Sequence, residues 1–172
     1  MASQNVAGIK VDDEVVTKFT KEGRMKNAPY KCLCMKFNDD KECALVVLDE
    51  TNHVLKEAED SIPDLDDYDA RLPYEKKLFD DFVKKIMSDC PDSVRFFTWD
   101  FYFKSTSGTC KTKLGLIAWI PEYTKGRGKL CGASAKPEIE HRIDLKASVT
   151  VNDADDMDYM DLAKSLTLGF KN

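Results

Sequence analysis

The chain has 172 residues, of which 42% are hydrophobic, so it is long enough to bury one sizeable core. Its 26 basic and 31 acidic side chains give a formal charge of −5, which argues against nucleic-acid binding through bulk positive charge. No apolar run approaches the roughly 20 residues of a membrane span, and no basic start leads into an apolar stretch as in a secretory signal. We therefore expect a cytosolic protein that is small enough to diffuse into the nucleus as well.

The first half of the chain predicts a helix, a hairpin and a long loop. The acidic stretch Asp12–Glu14 precedes apolar residues at helical spacing, which is typical of a first helical turn, and this helix should end near Gly23. The alternating stretch Tyr30–Phe37 and the apolar stretch Cys43–Glu50 are separated by turn residues and predict paired strands. Residues 51–73 are polar, acidic and without a period, so we predict a loop insertion there.

The second half predicts alternating helices and strands that complete an α/β fold. The predicted elements are a helix over Tyr74–Ser88, strands over Val94–Phe103 and Leu114–Ile120, a helix from Pro137 to Ile143, a strand over Leu145–Val151 and a final helix carrying Met160, Ala163 and Leu166. The strand Leu114–Ile120 is apolar on both faces, which indicates a central strand covered by helices on both sides. The order αββαββαβα thus predicts a mixed sheet between helices, an α/β sandwich.

The six cysteines predict buried thiols rather than a metal or catalytic centre. They are Cys32, Cys34, Cys43, Cys90, Cys110 and Cys131, and several fall in apolar strand patterns, where cysteine packs as a small hydrophobe. A zinc site would need further ligands at compatible spacing, and the chain has only His53 and His141 to offer. A small cytosolic enzyme remains an alternative, and it would require one cysteine of lowered pKa.

Positive charge is concentrated around the strand Leu114–Ile120. The segment Lys104–Lys136 holds seven basic residues and one acidic residue, whereas residues 49–92 hold fourteen acidic and six basic ones. Lys111 and Lys113 are two apart on a strand and therefore point to the same side. Lys125, Arg127 and Lys129 follow the strand and form one patch only if Gly126 and Gly128 make the segment irregular. Such charge indicates either an ordinary solvated surface or a docking site for an acidic partner.

Segments spread along the whole chain carry a family resemblance. They are "GIKVDDEVVTKF", "FTWDFYF", "KTKLGLIAWIPE", "GKLCGAS" and "ASVTVNDADDMD". The most specific part is the strand that ends in W-x-P, followed by a K-[LM]-x-x-A-S pattern. With these residues the chain resembles the actin-depolymerising factor (ADF)/cofilin family.

This resemblance implies a fold, a function and a set of site residues. It implies a single ADF-homology (gelsolin-like) domain over residues 1–172, without enzymatic activity or a cofactor, that is monomeric and binds monomeric and filamentous actin and promotes filament severing and depolymerisation. The implied residues are Gly8, Ile9, Arg127, Lys129 and Lys136 for monomeric actin, Lys111, Lys113 and Lys164 for the filament, and Ser3 as a phosphorylation site. Phosphoinositides are implied as further ligands.

Several residues depart from the family pattern. Gly126, Gly128 and Gly132 lie where the family has an uninterrupted long helix, so we expect that helix to start late or fray. Glu140 and His141 stand where the family often has basic pairs, which puts phosphoinositide binding in doubt. Ser3 is also separated from Gly8 by residues "QNVA", so its register differs from that of the family's phosphoserine. The alternative is a divergent member that mainly sequesters actin monomers or binds a non-actin partner without severing.

Overall fold

The computed structural model describes residues 8–24, 28–38, 45–124 and 126–167. The helices are α1 Asp13–Lys18, α2 Tyr68–Asp89, α3 Gly128–Ile143 and α4 Tyr159–Thr167. The strands are β1 Lys10–Val11, β2 Tyr30–Cys32, β3 Cys34–Phe37, β4 Leu45–Leu48, β5 Val54–Leu55, β6 Arg95–Lys104, β7 Cys110–Trp119 and β8 Ser148–Val151. A π-helical turn, Phe19–Gly23, continues α1 as far as the predicted end of the first helix.

Six strands form one mixed sheet, which confirms the predicted fold class. Their order is β1-β4-β3-β6-β7-β8, with parallel pairs at both edges and antiparallel pairs between them. The stretch Tyr30–Phe37 does not form one strand as predicted, because it divides at Leu33: β3 joins the main sheet and β2 pairs with β5 in a separate two-stranded sheet. The chain between β3 and β4 lies largely outside the described residues.

Helices cover both faces of the main sheet. α1 and α3 contribute buried residues to one hydrophobic cluster, and α2 and α4 contribute them to the other. Strand β7 serves both clusters, because Leu116 and Ala118 face α1 and α3 whereas Ile117 and Trp119 face α2 and α4. The prediction of a central strand buried on both sides is therefore confirmed, and β7 begins at Cys110, before the predicted Leu114.

The loop predicted through residue 72 is wrong in its second part. Helix α2 begins at Tyr68, and the Asp67 side chain caps it by accepting a hydrogen bond from the Ala70 N–H (3.1 Å). The segment before the helix is held to the protein by two bonds to its backbone: the Arg71 guanidinium donates to the Pro63 carbonyl, and the Tyr102 hydroxyl donates to the Leu65 carbonyl, both at 2.7 Å. These contacts fix the position of the segment before α2 relative to the rest of the protein.

The prediction of a late third helix, starting at Pro137, is also wrong. Helix α3 begins at Gly128 and contains Pro137 in its interior. The helix passes close to the end of β7, since a Cβ added at Gly132 would lie 3.1 Å from the Ile120 side chain. The glycine therefore permits close packing of α3 on the sheet, and the burial that this packing gains offsets the helix propensity that glycine lacks.

Two smaller predictions also need correction. Strand β8 begins at Ser148, three residues after the predicted Leu145. In α4 the buried residues are Tyr159, Leu162, Ala163 and Leu166, whereas Met160, predicted for the apolar stripe, is 41% exposed. The apolar stripe of this short helix therefore begins at Tyr159, one residue before the predicted Met160.

His53 lies in the junction between β4 and β5 and makes stability dependent on pH. Its side chain is buried, its Nδ1 atom accepts a hydrogen bond from the Cys34 N–H (3.0 Å), and its ring packs edge-on against Tyr30. Burial lowers the pKa of His53, and the nearby Glu50 carboxylate opposes this only in part. The folded state therefore holds the neutral imidazole, because a protonated Nδ1 could no longer accept the Cys34 bond.

We expect the free energy of unfolding to fall as the pH drops from about 7.5 through the ordinary histidine pKa of about 6.5 and toward the lower pKa of the folded state. The sign follows because the unfolded chain binds the proton more tightly than the folded one. Urea midpoints measured between pH 7.5 and 5.5 check this, with His53→Gln expected to remove most of the slope. His141→Gln, which removes the other histidine at an exposed position, controls for the loss of a histidine as such. An equal slope in His53→Gln and the parent protein would contradict the assignment.

Candidate functional site

Two of the predicted basic residues lie side by side on β7. Lys111 pairs with Phe103 and Lys113 with Phe101 across the antiparallel β6–β7 ladder, so both lysines lie on the face that carries the buried Phe101. That is the face covered by α2 and α4. Lys111 is exposed and Lys113 is half-buried, and burial lowers the pKa of the Lys113 ammonium.

Helix α4, which packs on this face, carries the third predicted lysine, Lys164. Gly115 allows this approach, because a Cβ at that position would lie 2.5 Å from Cδ1 of Leu166. Lys164 is exposed, two residues before Leu166 on α4, whereas Gly115 is two residues after Lys113 on β7. The three side chains Lys111, Lys113 and Lys164 are hereafter called the strand cluster.

A second basic pair lies where α3 begins. Arg127 is the N-cap residue of α3 and Lys129 lies in its first turn, and both side chains are exposed. The preceding Gly126 has φ +67°, a conformation that favours glycine, so the chain turns sharply into the helix there. Arg127 and Lys129 are hereafter called the helix cluster; the neighbouring Lys125 lies outside the described residues.

Two exposed apolar side chains close to the helix cluster were missed by the sequence analysis. Leu130 is 65% exposed and Tyr123 is 82% exposed. Leu130 falls off the buried α3 stripe that contains Cys131, Ala135 and Ile139, and this offset is visible in the sequence once the helix is known to start at Gly128. Large exposed apolar side chains next to cations are common in protein–protein interfaces.

Lys136 does not join the helix cluster as a free cation. It lies half-buried two turns further along α3, with its ammonium 3.6 Å from a Glu140 carboxylate oxygen. Glu140 also accepts a hydrogen bond from the Ser148 hydroxyl at the start of β8. Glu140, which departs from the family pattern, therefore compensates the positive charge of Lys136.

The predicted amino-terminal residues differ in their accessibility. Gly8 is exposed with φ +64°, but the Ile9 side chain is 1% exposed and packs in the core beneath α1 and α3. The Ile9 side chain is thus placed to anchor the segment, and Gly8 is the part that faces outward. An ion pair between Arg142 and Asp13 (2.6 Å) ties α3 to α1 beside this segment, and Ser3 lies outside the described residues.

The two clusters lie at opposite ends of one strand and are associated with opposite faces of the sheet. The strand cluster lies near the first residues of β7, and the helix cluster follows its last residue, Trp119. Eight residues of extended chain between Lys111 and Trp119 span roughly 26 Å. A stiff β-strand with both faces buried therefore holds two separate cationic surfaces at a fixed distance.

Three of the described cysteines have a thiol whose pKa is raised. Burial raises the pKa of Cys32 and of Cys90, and burial together with the Asp49 carboxylate raises that of Cys34. Within the described ranges, no group of three or more histidine, cysteine, aspartate and glutamate side chains is arranged to hold a metal ion. None of the helices in the described part combines the length and hydrophobicity needed to cross a lipid bilayer.

Comparisons with known proteins agree with this architecture. Residues 8–167 match the family described as cofilin/tropomyosin-type actin-binding protein. The chain is 27% identical to an actin-depolymerizing factor of Brassica napus over 99 residues, which cover 57% of this chain and 75% of that protein.

Two solved structures share the fold at low sequence identity. The ADF-like UNC-60A protein of Caenorhabditis elegans superposes with a TM-score of 0.70 at 21% identity, covering 95% of this chain and 96% of that one. Mouse coactosin, described as an actin filament binding protein, superposes with a TM-score of 0.61 at 12% identity, covering 96% and 94%. The family match extends over nearly all described residues. The chain therefore belongs to the cofilin/ADF family of actin-binding proteins, which are not enzymes.

Proposed function

We propose that this protein binds both monomeric and filamentous actin and promotes filament severing and depolymerisation. The observation that supports this most strongly is the placement of two cationic surfaces at opposite ends of the rigid strand β7. The helix cluster, with Leu130, would contact one actin subunit, and the strand cluster would contact a neighbouring subunit in a filament. Two separated surfaces on one stiff body suit a polymer better than a single small ligand.

The mechanism that we propose is differential binding. Lysine and arginine side chains steer the protein toward an acidic partner and form charge-assisted hydrogen bonds with its carboxylates. A ligand that fits one twist of a filament better than another shifts the filament toward the preferred twist. Boundaries between bound, twisted stretches and bare stretches would then carry the mechanical mismatch and break, without covalent chemistry.

Single-filament fluorescence microscopy tests the severing part of this proposal. Labelled filaments held on a surface should break at a rate that rises with protein concentration and then falls as the filaments become uniformly covered. Added salt should reduce the effect, because exposed charge pairs are screened. Decoration of filaments without any breakage would leave actin binding intact and remove severing from the function.

Replacing Arg127 and Lys129 together with alanine is expected to weaken binding to monomeric actin by about tenfold or more. Each lost charge-assisted hydrogen bond costs about 1.5–3 kcal/mol, and 1.4 kcal/mol corresponds to a factor of ten. Titration of fluorescently labelled monomers measures the change. Lys84→Ala with Lys146→Ala removes the same charge from exposed positions outside both clusters and should have little effect; equal losses in the two double variants would contradict the assignment.

A second candidate function is supported by the environment of Lys113. Because this lysine is half-buried, the strand cluster presents less accessible charge than three fully exposed lysines would. A protein with a competent helix cluster and a weak strand cluster would sequester monomers without severing. It would bind labelled monomeric actin, yet fail to sediment with filaments.

The remaining biological assignments belong to the same proposal. We place the protein in the cytoplasm with the actin cytoskeleton, with access to the nucleus, as a monomer. Phosphate on Ser3 would add negative charge to the amino-terminal segment and repel an acidic partner. Phosphoinositide binding is weakly supported, since Glu140 compensates Lys136 on the helix where the family has more basic charge.

A further inference from the structure

A cavity of about 400 Å³ lies between the acidic segment before α2 and the sheet. Its volume falls within the range of about 300–1,000 Å³ that is usual for small-molecule sites. One wall is apolar and is formed by Ile62, Pro63, Leu65 and Leu78. The cavity lies on neither of the clusters assigned to actin.

The floor of this cavity is a charged group whose members satisfy one another. The buried Glu75 carboxylate accepts from Arg71 at 2.8 Å and lies 2.6 Å from the Lys31 ammonium. Lys31 also donates to the Asp100 carbonyl, and Arg71 to the Pro63 carbonyl, both at 2.7 Å. These three side chains therefore build the floor and need no ligand.

Two further side chains of opposite charge, Lys56 and Asp100, are left at the inner end. Both also line a neighbouring cavity of about 310 Å³, so they stand between the two spaces. Their backbones are fixed, since the Lys56 N–H donates to the Pro29 carbonyl (2.7 Å) and the Asp100 carbonyl accepts from Lys31. Neither side chain takes part in a salt bridge found among the described residues; the Asp100 carboxyl is hydrogen-bonded to the Thr112 side chain and interacts electrostatically with the Lys31 and Lys56 ammonium groups.

We propose that this cavity binds a small zwitterion of the α-amino-acid type, whose carboxylate pairs with Lys56, whose ammonium pairs with Asp100 and whose apolar side chain packs on the Ile62–Leu65 wall. An α-amino acid carries the two charged groups on one carbon, which suits a lysine and an aspartate that line one cavity without a salt bridge between them. This binding is independent of the proposed contacts with actin.

The electrostatics of the cavity favour a ligand with both charges. Three exposed carboxylates, Glu57, Glu59 and Asp64, lie at the rim and repel an anion that has no ammonium group. A cation without a carboxylate would instead lie against Lys56. Burial raises the pKa of Asp100 despite the nearby Lys31 and Lys56 ammonium groups, and a ligand ammonium would stabilise its ionised form.

Three probes that share a phenyl group test the proposal in the full chain. Isotope-edited NMR titrations with L-phenylalanine, phenethylamine and 3-phenylpropionate compare the zwitterion with each single charge. L-Phenylalanine is expected to shift the amide signals of Lys56, Asp100 and Leu78 saturably, and the two single-charge probes should bind at least tenfold more weakly. Equal or tighter binding of phenethylamine or 3-phenylpropionate, or no saturation by L-phenylalanine up to 10 mM, would overturn the proposal.

Matched variants locate the binding. Lys56→Gln and Asp100→Asn should each weaken L-phenylalanine binding at least tenfold, whereas Lys84→Gln and Asp81→Asn, which change exposed residues of α2 outside the cavity, should not. Lys56 is partly exposed, so the Lys56→Gln variant is expected to fold. It can therefore test the proposal even if Asp100→Asn folds poorly. Unchanged affinity in a folded Lys56→Gln variant would also overturn the proposal.

Discussion

Replacing Glu75 with glutamine is expected to lower the free energy of unfolding by about 3–5 kcal/mol, the usual cost of removing one partner from a buried ion pair. The glutamine keeps the shape of the side chain but removes the charge that compensates two cations. Lys31 would then remain 7% exposed without its carboxylate, and Arg71 would lose its partner at 2.8 Å. The urea midpoint should fall with little change in the slope of the transition.

The matched control is Asp81→Asn, which removes a carboxylate from the exposed Lys77–Asp81 pair on the same helix. Because both partners are in water, its midpoint should stay close to that of the parent protein. If Glu75→Gln lowered the midpoint no more than Asp81→Asn does, the buried charges would not stabilise the fold in the way described here.

Replacing Lys111 and Lys113 together with alanine is expected to reduce filament binding by about tenfold or more while changing monomer binding less. The reason is geometric, because the strand cluster is assigned to a second subunit that only a filament provides. Two charge-assisted hydrogen bonds of about 1.5–3 kcal/mol each set the scale. Filament binding is measured by cosedimentation over a range of protein concentrations, and monomer binding by titration of labelled actin.

The double variant Lys84→Ala and Lys146→Ala again controls for net charge, and it should sediment with filaments as the parent protein does. Stability must be compared as well, since Lys113 is half-buried and alanine would also remove its aliphatic stem. The assignment fails if monomer and filament affinities fall by the same factor in a stably folded Lys111→Ala, Lys113→Ala variant.

The central sheet could be predicted because the hydrophobic patterns that indicate its strands lie within short stretches of the sequence. Strand β7 is apolar at every position from Leu116 to Trp119, and this alone indicates a strand with helices on both sides. Lys111 and Lys113 were predicted to share a side because alternation along a strand is fixed by backbone geometry. Their proximity to α4 was not predictable in this way, since it depends on the contact between Gly115 and Leu166, fifty-one positions apart in sequence.

The failed predictions involve residues whose usual role is overridden by tertiary contacts. Arg71 and the acidic residues before it were predicted to lie in a loop, yet Arg71 bonds to the Pro63 carbonyl and α2 extends back to Tyr68. Asp67 is a capping signal that is visible in the sequence, but the loop was predicted to continue to residue 73. At α3, Gly128 and Gly132 were read as helix breakers, although Gly132 allows the helix to pack against Ile120.

The sequence could name candidate site residues, but it could not give the packing and ion pairs that surround their side chains. The resemblance named basic residues on β7, α3 and α4, but it could not show that Glu140 pairs with Lys136 or that the Ile9 side chain is buried. The same limit applies to Leu130, whose exposure depends on where α3 begins. Each of these environments follows from packing between elements that are distant in sequence or from the exact start of a helix.

High-speed sedimentation of preformed actin filaments with increasing amounts of the parent protein tests the central claim most directly. If two cationic surfaces engage neighbouring subunits, the protein should pellet with filaments at low ionic strength, soluble actin should rise with its concentration, and both effects should weaken as salt is added. Filaments that pellet alone and unchanged at every salt concentration, with the protein left in the supernatant, would contradict it.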